Sequence, residues 1–334
     1  MKRFGNLTGE IAGFENLRLA FYKAHRGKQG RQEVVEFRDN LEENLAGLSE
    51  QILSGDVSVG NYRRFMIYDP KKREICAAAF GERVLHHAIM NICHPIFERN
   101  LIYDTYATRI GKGVYSALDR ARGGMAHHSY VVKLDVRKYF DSVSHEILKH
   151  KLRHIFKDSV LLSIFDRIID SYESSGGRGL PIGNLTSQYF ANFYLSGLDH
   201  YAKEVLKLPV YVRYMDDILF FADSKADIIM ALRLVVAYVE EQLDLKFKSA
   251  IVITTDQQLS FLGYRLGKHV IWLNGKSRRR FVHKMKVYRR LLDDEQWSEE
   301  TFFAHITPLL SFVEHAYTLQ YRKNVMNILE GGKL

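Results

Sequence analysis

The chain has 334 residues, enough for a sizeable core and two or three subdomains, and its 46% hydrophobic content is ordinary globular composition. No apolar run approaches the ~20 residues that cross a bilayer. No signal-peptide core follows Met1-Lys2-Arg3-Phe4-Gly5-Asn6, and two cysteines, Cys76 and Cys93, give no disulfide framework, so the expected setting is a reducing cytoplasm without a membrane partner. The net charge of +9 is local: residues 265–290 hold ten Lys and Arg and no acid, which leaves the rest of the chain near neutral.

In chain order, residues 1–60 read mainly as helices, with one long amphipathic stretch over 33–53 ending near Gly55. A basic hairpin follows, Phe65-Met66-Ile67-Tyr68-Asp69-Pro70-Lys71-Lys72-Arg73-Glu74-Ile75, then a helix over about 82–97. Cys76, His86, His87, Cys93 and His94 match no common zinc spacing, so core or RNA-facing roles are expected of them. A loop with Gly111 and Gly113 comes next, and His127 and His128 are expected in a Gly-rich loop after Gly123-Gly124. Residues 130–136 form an apolar run with Asp135 near its end. The next helix has Ser144 as its N-cap and Ile147, Leu148, Leu152, Ile155 and Phe156 on one side. Val210-Tyr211-Val212 and Ile218-Leu219-Phe220-Phe221 read as short buried strands. A helix over 227–243 and strands at 250–254, 260–266 and 269–273 complete a β-α-β-β-α-β order, that of a ferredoxin-like α+β unit. Residues 276–334 read as a small helical bundle.

Between the two apolar strands stands Tyr214-Met215-Asp216-Asp217. Adjacent carboxylates repel and raise each other's pKa, so such a turn is costly unless a cation offsets it. Asp135, at the end of another strand, is the expected third acid. Carboxylates gathered at strand ends make a hard-oxygen site for Mg²⁺. Two ions ~3.5–4 Å apart clamp the attacking and leaving oxygens of a phosphoryl transfer. Lys276-Ser277-Arg278-Arg279-Arg280-Phe281-Val282-His283-Lys284-Met285-Lys286-Val287-Tyr288-Arg289-Arg290 interleaves cations with aromatics, a pattern suited to phosphates and stacked bases.

These stretches resemble a reverse transcriptase. Gly179-Leu180-Pro181-Ile182-Gly183-Asn184-Leu185-Thr186-Ser187-Gln188 resembles the family's third signature. Phe261-Leu262-Gly263-Tyr264 resembles its primer-grip hairpin, and the 65–75 hairpin resembles the finger that holds the incoming triphosphate. Most such enzymes carry Gln where this chain has Ile182, and Ser-Pro where it has Ser187-Gln188. Ile-Gly-x-x-x-Ser-Gln is similar to the reverse transcriptases of diversity-generating retroelements. So are Arg83-Val84-Leu85-His86-His87-Ala88-Ile89 and Tyr106-Ala107-Thr108-Arg109-Ile110-Gly111-Lys112-Gly113. Group II intron and retron enzymes are more distantly similar.

The resemblance implies a right-hand polymerase architecture: N-terminal helices and fingers over 1–125, a ferredoxin-like palm over 126–275 and a helical thumb over 276–334. It implies two Mg²⁺ ions (Mn²⁺ as an alternative) on Asp135, Asp216, Asp217 and the Val136 carbonyl, with dNTPs as substrates. Lys71, Lys72 and Arg73 would meet the triphosphate, Gly183 would lie beside the nucleotide, and Phe140 would gate against a 2′-hydroxyl. Lys248, or Lys246, would be the general acid. Tyr214, Met215, Ser187, Gln188, Phe261, Leu262, Gly263, Tyr264, Arg278, Arg279 and Arg280 would hold primer and template. Ile182, able only to pack, implies reduced fidelity, with errors at template adenines. The implied partners are a structured template RNA, the RNA/DNA hybrid and a small basic accessory variability protein that oligomerises. A faithful retron, intron or phage-defence enzyme, untemplated DNA synthesis and a non-catalytic RNA-binding scaffold stay open.

Overall fold

The computed structural model describes residues 3–68 and 71–329; Asp69 and Pro70 of the basic hairpin, and the end of the expected C-terminal bundle, lie outside the described residues. The N-terminal part is helical: Thr8–Ala12, Phe14–His25, Gln32–Asp39 and Leu41–Ser54. The expected single stretch over 33–53 is therefore two helices. Asn40 leaves helical geometry (φ −120°, ψ 42°), and Asn44 Nδ2 donates to the Phe37 carbonyl at 3.0 Å. Gly55, at φ 76°, ends the second helix in the left-handed conformation that Gly adopts without steric cost.

Strands β1 (Tyr62–Ile67) and β2 (Arg73–Ala78) pair antiparallel, with Ile67 opposite Arg73. The helices Phe80–Arg99 and Val114–His127 follow. Gly123-Gly124 and His127 thus lie in a helix, not in the expected loop. A Cβ on Gly124 would come within 2.7 Å of the Phe221 ring, so Gly here lets the helix lie directly on the sheet.

The central sheet comprises β3 (Tyr130–Asp135), β4 (Val210–Tyr214), β5 (Asp217–Ala222) and β6 (Ile251–Thr254), in the order β4-β5-β3-β6 and antiparallel throughout. With helices between β3 and β4 and the helix Lys225–Leu243 between β5 and β6, this is the ferredoxin-like arrangement. The helix His145–Ile155 starts at Ser144, whose Oγ accepts from Ile147 N at 3.4 Å. Strands β7 (Leu259–Phe261), β8 (Tyr264–Leu266) and β9 (Ile271–Leu273) form a second sheet. The single strand expected over 260–266 is folded in two at Leu262-Gly263, both of which have positive φ.

Strand alternation sends side chains to two cores. Val132, Leu134, Tyr211, Ile218 and Phe220 pack with the N-terminal helices and the helices Ser159–Asp170 and Leu185–Tyr194. Val131, Val210, Val212, Leu219 and Phe221 pack with β7–β9, the helix Val114–His127 and the C-terminal helices Gly275–Asp293, Glu299–Glu314 and Leu319–Leu329. Both faces of the sheet are covered, so the ends of its strands are what remain for chemistry. Among the described residues no helix is long and apolar enough to cross a membrane.

Candidate active site at the Asp-Asp hairpin

The ladder brings the acids together. Asp135, the last residue of β3, stands opposite Asp217, the first of β5, and Asp217 stands opposite Tyr214 across the hairpin. Met215 and Asp216 form the two-residue turn. Met215 has φ 56°, a conformation that two-residue hairpins require but that favours Gly, Asn or Asp. A left-handed residue with a Cβ costs roughly 1–2 kcal/mol, so something must hold it. Arg213 Nη1 donates to the Met215 carbonyl at 3.1 Å, and Val136 N donates to the Asp216 carbonyl at 3.4 Å.

The acids repel. Burial lifts Asp216 to about 6, with the charges of Asp217 and Asp135 adding to the effect. Burial also raises Asp217, Asp135 adds to it, and Lys133, 3.7 Å away, works the other way. Lys248 Nζ donates to Asp135 Oδ1 at 2.6 Å. Among the described residues no three His, Cys, Asp or Glu side chains gather closely enough to enclose a metal ion. The donor set nonetheless fits a hard divalent cation: three partly buried, mutually repelling carboxylates, with Asp135 and Asp217 each beside a lysine ammonium.

The other expected residues divide in two. Lys71, Lys72 and Arg73 are exposed at the end of the β1–β2 hairpin, and the Lys71 charge reaches Asp217. Phe140 is half-buried, and its carbonyl accepts from Leu180 N at 2.7 Å, which ties it to the segment before Ile182. The Ile182 carbonyl accepts from Cys76 N at 2.8 Å. Gly183 has φ 122°, and a Cβ there would meet Ile75 at 2.9 Å, so the 182–183 loop docks on β2. Ser187 is buried and Gln188 exposed on the same helix. Lys246 gives its carbonyl to Arg137 N and lines a separate cleft with Arg64 and Arg178, whereas Lys248 touches the acids.

Farther off, Phe261, Leu262, Gly263 and Tyr264 form the β7–β8 turn, which Ser277 Oγ fastens to the helix Gly275–Asp293 by donating to the Gly263 carbonyl at 2.8 Å. Arg278, Arg279 and Arg280 are exposed on that helix, and Arg278 lies over the Tyr321 ring at 4.5 Å. Phe281 and Met285 are its buried side.

Sequence reasoning missed Arg213 and Asp199. Both are fully buried and paired at 2.5 Å directly behind the turn. In sequence they stand in separate elements, and the one available signal is a charge inside the apolar run of β4.

The family model described as reverse transcriptase (RNA-dependent DNA polymerase) matches residues 69–266. The chain is 24% identical over 172 residues to Protein YkfC of Escherichia coli (strain K12), a match covering 47% of this chain and 45% of that protein. It is 20% identical over 215 residues to the putative COX1/OXI3 intron 1 protein of Saccharomyces cerevisiae, covering 61% of this chain and 26% of that protein. The matches thus span less than half the length of these relatives. The solved structure of apo telomerase from Candida tropicalis superposes with TM-score 0.51 at 11% identity, over 87% of this chain and 66% of that one. That likeness is one of fold, the right-hand polymerase architecture. With the family model covering more than half of its length, the chain belongs to the reverse transcriptase family.

Proposed function

We propose that this chain is an RNA-directed DNA polymerase that makes error-prone cDNA from the structured template RNA of a diversity-generating retroelement. The observation that carries the polymerase reading is the register of Asp135 against Asp217 with Asp216 in the adjoining turn. In this reading residues 1–125, 126–275 and 276–334 act as fingers, palm and thumb. Asp135, Asp216, Asp217 and the Val136 carbonyl hold two Mg²⁺, or Mn²⁺. Such ions activate the primer 3′-hydroxyl and neutralise the leaving pyrophosphate. Lys71, Lys72 and Arg73 draw the triphosphate in, Phe140 lies under the sugar and excludes a 2′-hydroxyl, and Lys248 gives a proton to the pyrophosphate. Phosphoryl transfer asks little more of a protein than such positioning and neutralisation.

Ile182 carries the error-prone part. Its side chain has no hydrogen-bonding group for the incoming nucleotide, and a missing polar contact is worth ~1–3 kcal/mol of discrimination. Its backbone is bound to β2, the strand that begins with Arg73, which ties the loop to the hairpin. The basic helix face around Arg279 suits the RNA/DNA hybrid and template RNA, and a small basic accessory protein would complete the particle.

The test is Mg²⁺-dependent primer extension on a defined RNA, with the products sequenced and Asp216→Ala/Asp217→Ala as control. The double substitution is expected to lower the rate by on the order of 10³-fold, the scale of losing a main electrostatic contact to the transition state. Errors clustered at template adenines, and reduced by Ile182→Gln, support the retroelement reading. Faithful cDNA from the unsubstituted chain instead favours an intron- or retron-type enzyme, the direction in which the intron protein among its relatives points. Products that form without any RNA indicate untemplated synthesis. No product with a structured RNA and accessory protein supplied indicates a binding scaffold.

A further inference from the structure

We infer that Arg213 is a positioning residue that fixes the Asp216 turn from behind. The inference rests on the polymerase reading of that turn and assigns it a brace. The Arg213 side chain is fully buried and all five of its N–H donors are used. Nε and Nη2 donate to the two Asp199 oxygens at 2.6 and 2.5 Å, a bidentate pair. Nη1 donates to Asn192 Oδ1 at 2.8 Å, and Nη2 to the Asn192 carbonyl at 3.0 Å. The remaining donor of Nη1 reaches the Met215 carbonyl at 3.1 Å. Tyr211 OH adds a bond to Asp199 Oδ1 at 2.9 Å, and Asn192 Nδ2 donates to the Ala107 carbonyl at 2.9 Å. The Arg213 backbone is held as well: its N donates to the Asp104 carbonyl at 3.0 Å, and its carbonyl accepts from Tyr106 N at 2.9 Å.

Stability alone is a weak reason for this construction. A buried ion pair seldom stabilises more than apolar side chains of the same volume, because two charges must leave water. What apolar side chains cannot do is reach a backbone carbonyl in the turn. Met215 sits in a conformation that its Cβ disfavours, and its neighbour in the turn is Asp216. The guanidinium fork transmits the rigid geometry of Asp199 and Asn192, both in helices of the first core, to that carbonyl. Lys has the charge but not the planar fork, so it cannot serve all these acceptors at once.

Two variants separate positioning from folding: Arg213→Lys, and the apolar Arg213→Met/Asp199→Leu/Tyr211→Phe. For each, melting temperature, kcat at saturating dNTP, KM for dNTP and Mg²⁺ at half-maximal rate are measured. Mn²⁺ binding is followed by electron paramagnetic resonance, with Asp216→Ala/Asp217→Ala as the baseline. Expected is a kcat loss of about 100-fold in each folded variant, the scale of misplacing a reacting group by an ångström. The Mg²⁺ requirement rises, Mn²⁺ binding weakens, and KM for dNTP is unchanged. If the variants match the unsubstituted chain per folded molecule in kcat and Mn²⁺ binding, Arg213 only supports the fold and the inference is overturned. Should the apolar variant not fold, Arg213→Lys decides by the same readouts. An unsubstituted chain that makes no cDNA sinks the polymerase reading, and the Mn²⁺ titration still decides the role of Arg213.

Discussion

Two buried pairs of ionisable side chains sit behind the Asp-Asp turn and behind the β1–β2 hairpin, and they are built in opposite ways. Arg213 and Asp199, behind the Asp-Asp turn, are both fully buried, and the guanidinium has an acceptor for every donor. Burial alone would lower the Arg213 pKa, but the Asp199 charge and hydrogen bonds outweigh it and drive it up. Glu82 and His86, in the first turns of the helix that follows β2, are also buried, 3.5 Å apart. Yet Glu82 Oε1 and both His86 ring nitrogens lack a hydrogen-bond partner among the described residues. Burial pushes Glu82 up to about 7 against the bonds it accepts from Gly60 and Tyr62, and pushes His86 down to about 3. Arg213 stays charged, whereas Glu82 and His86 go neutral. A charge survives burial where its whole hydrogen-bonding capacity is met; otherwise the proton moves to remove it.

The largest expected effect comes from breaking the satisfied pair on one side. Arg213→Leu leaves the Asp199 carboxyl buried without its guanidinium partner, and is expected to destabilise by about 3–5 kcal/mol. Urea unfolding of the two variants measures it. The apolar replacement of Arg213, Asp199 and Tyr211 together is expected to cost far less, because no charge is left behind. If Arg213→Leu is no worse than that combined replacement, the pair is not the integrated network its bonds describe.

What the sequence revealed follows from the range of each interaction. The acid triad was legible because its signal is local: carboxylates placed where apolar strand runs end. Ser144 was legible as a cap for the same reason, a polar residue at the head of a periodic apolar pattern. Arg213 was not, because what explains it is Asp199 in a different element and Asn192 farther still. The Gly123-Gly124 helix was misread as a loop since Gly ordinarily disfavours helices; the Phe221 ring that requires the missing Cβ comes from a strand nearly a hundred residues on. The turn inside 260–266 was marked only by Gly263, whose φ is 90°. The break at Asn40 interrupts no apolar period, so periodicity alone runs through it.

A smaller effect is expected at the unsatisfied pair, and it depends on pH. Glu82 is protonated up to about pH 7 in the fold but ionises near 4.5 when unfolded, its ordinary value. Between those values the folded chain binds the extra proton, so this group contributes stability that fades as pH rises. Glu82→Gln keeps an acceptor for Gly60 N, which donates to Glu82 Oε2 at 3.1 Å, and abolishes the titration. Relative to the unsubstituted chain at each pH, its stability is expected to climb by about 1 kcal/mol per unit from pH 5 to 7. Comparing the two proteins at each pH cancels other titrating groups, His87 among them. A difference independent of pH would mean that Glu82 is ionised in the fold.

His86→Leu should show the opposite slope, read over the narrower window from pH 6.5 to 5.5. His86 takes a proton in the fold only near pH 3, but near 6.5 when unfolded. Below pH 6.5 the unfolded chain therefore gains a proton that the folded chain refuses, and the His86 contribution to stability falls as pH falls. Leu removes that loss, so the variant is expected to gain on the unsubstituted chain by about 1 kcal/mol between pH 6.5 and 5.5. In the same window Glu82 works the other way, so the two slopes nearly cancel in the unsubstituted chain and each substitution uncovers its partner's. An ion pair of Glu82 carboxylate and His86 imidazolium would change both: Glu82 would titrate below pH 5 and contribute no slope of its own from pH 5 to 7, and His86→Leu would lose ground as pH falls from 7 to 6.5. Thermal unfolding of the three proteins at pH 5.5, 6.5 and 7 separates the neutral pair from the ionic one, and the ionic result would erase the contrast with Arg213 and Asp199.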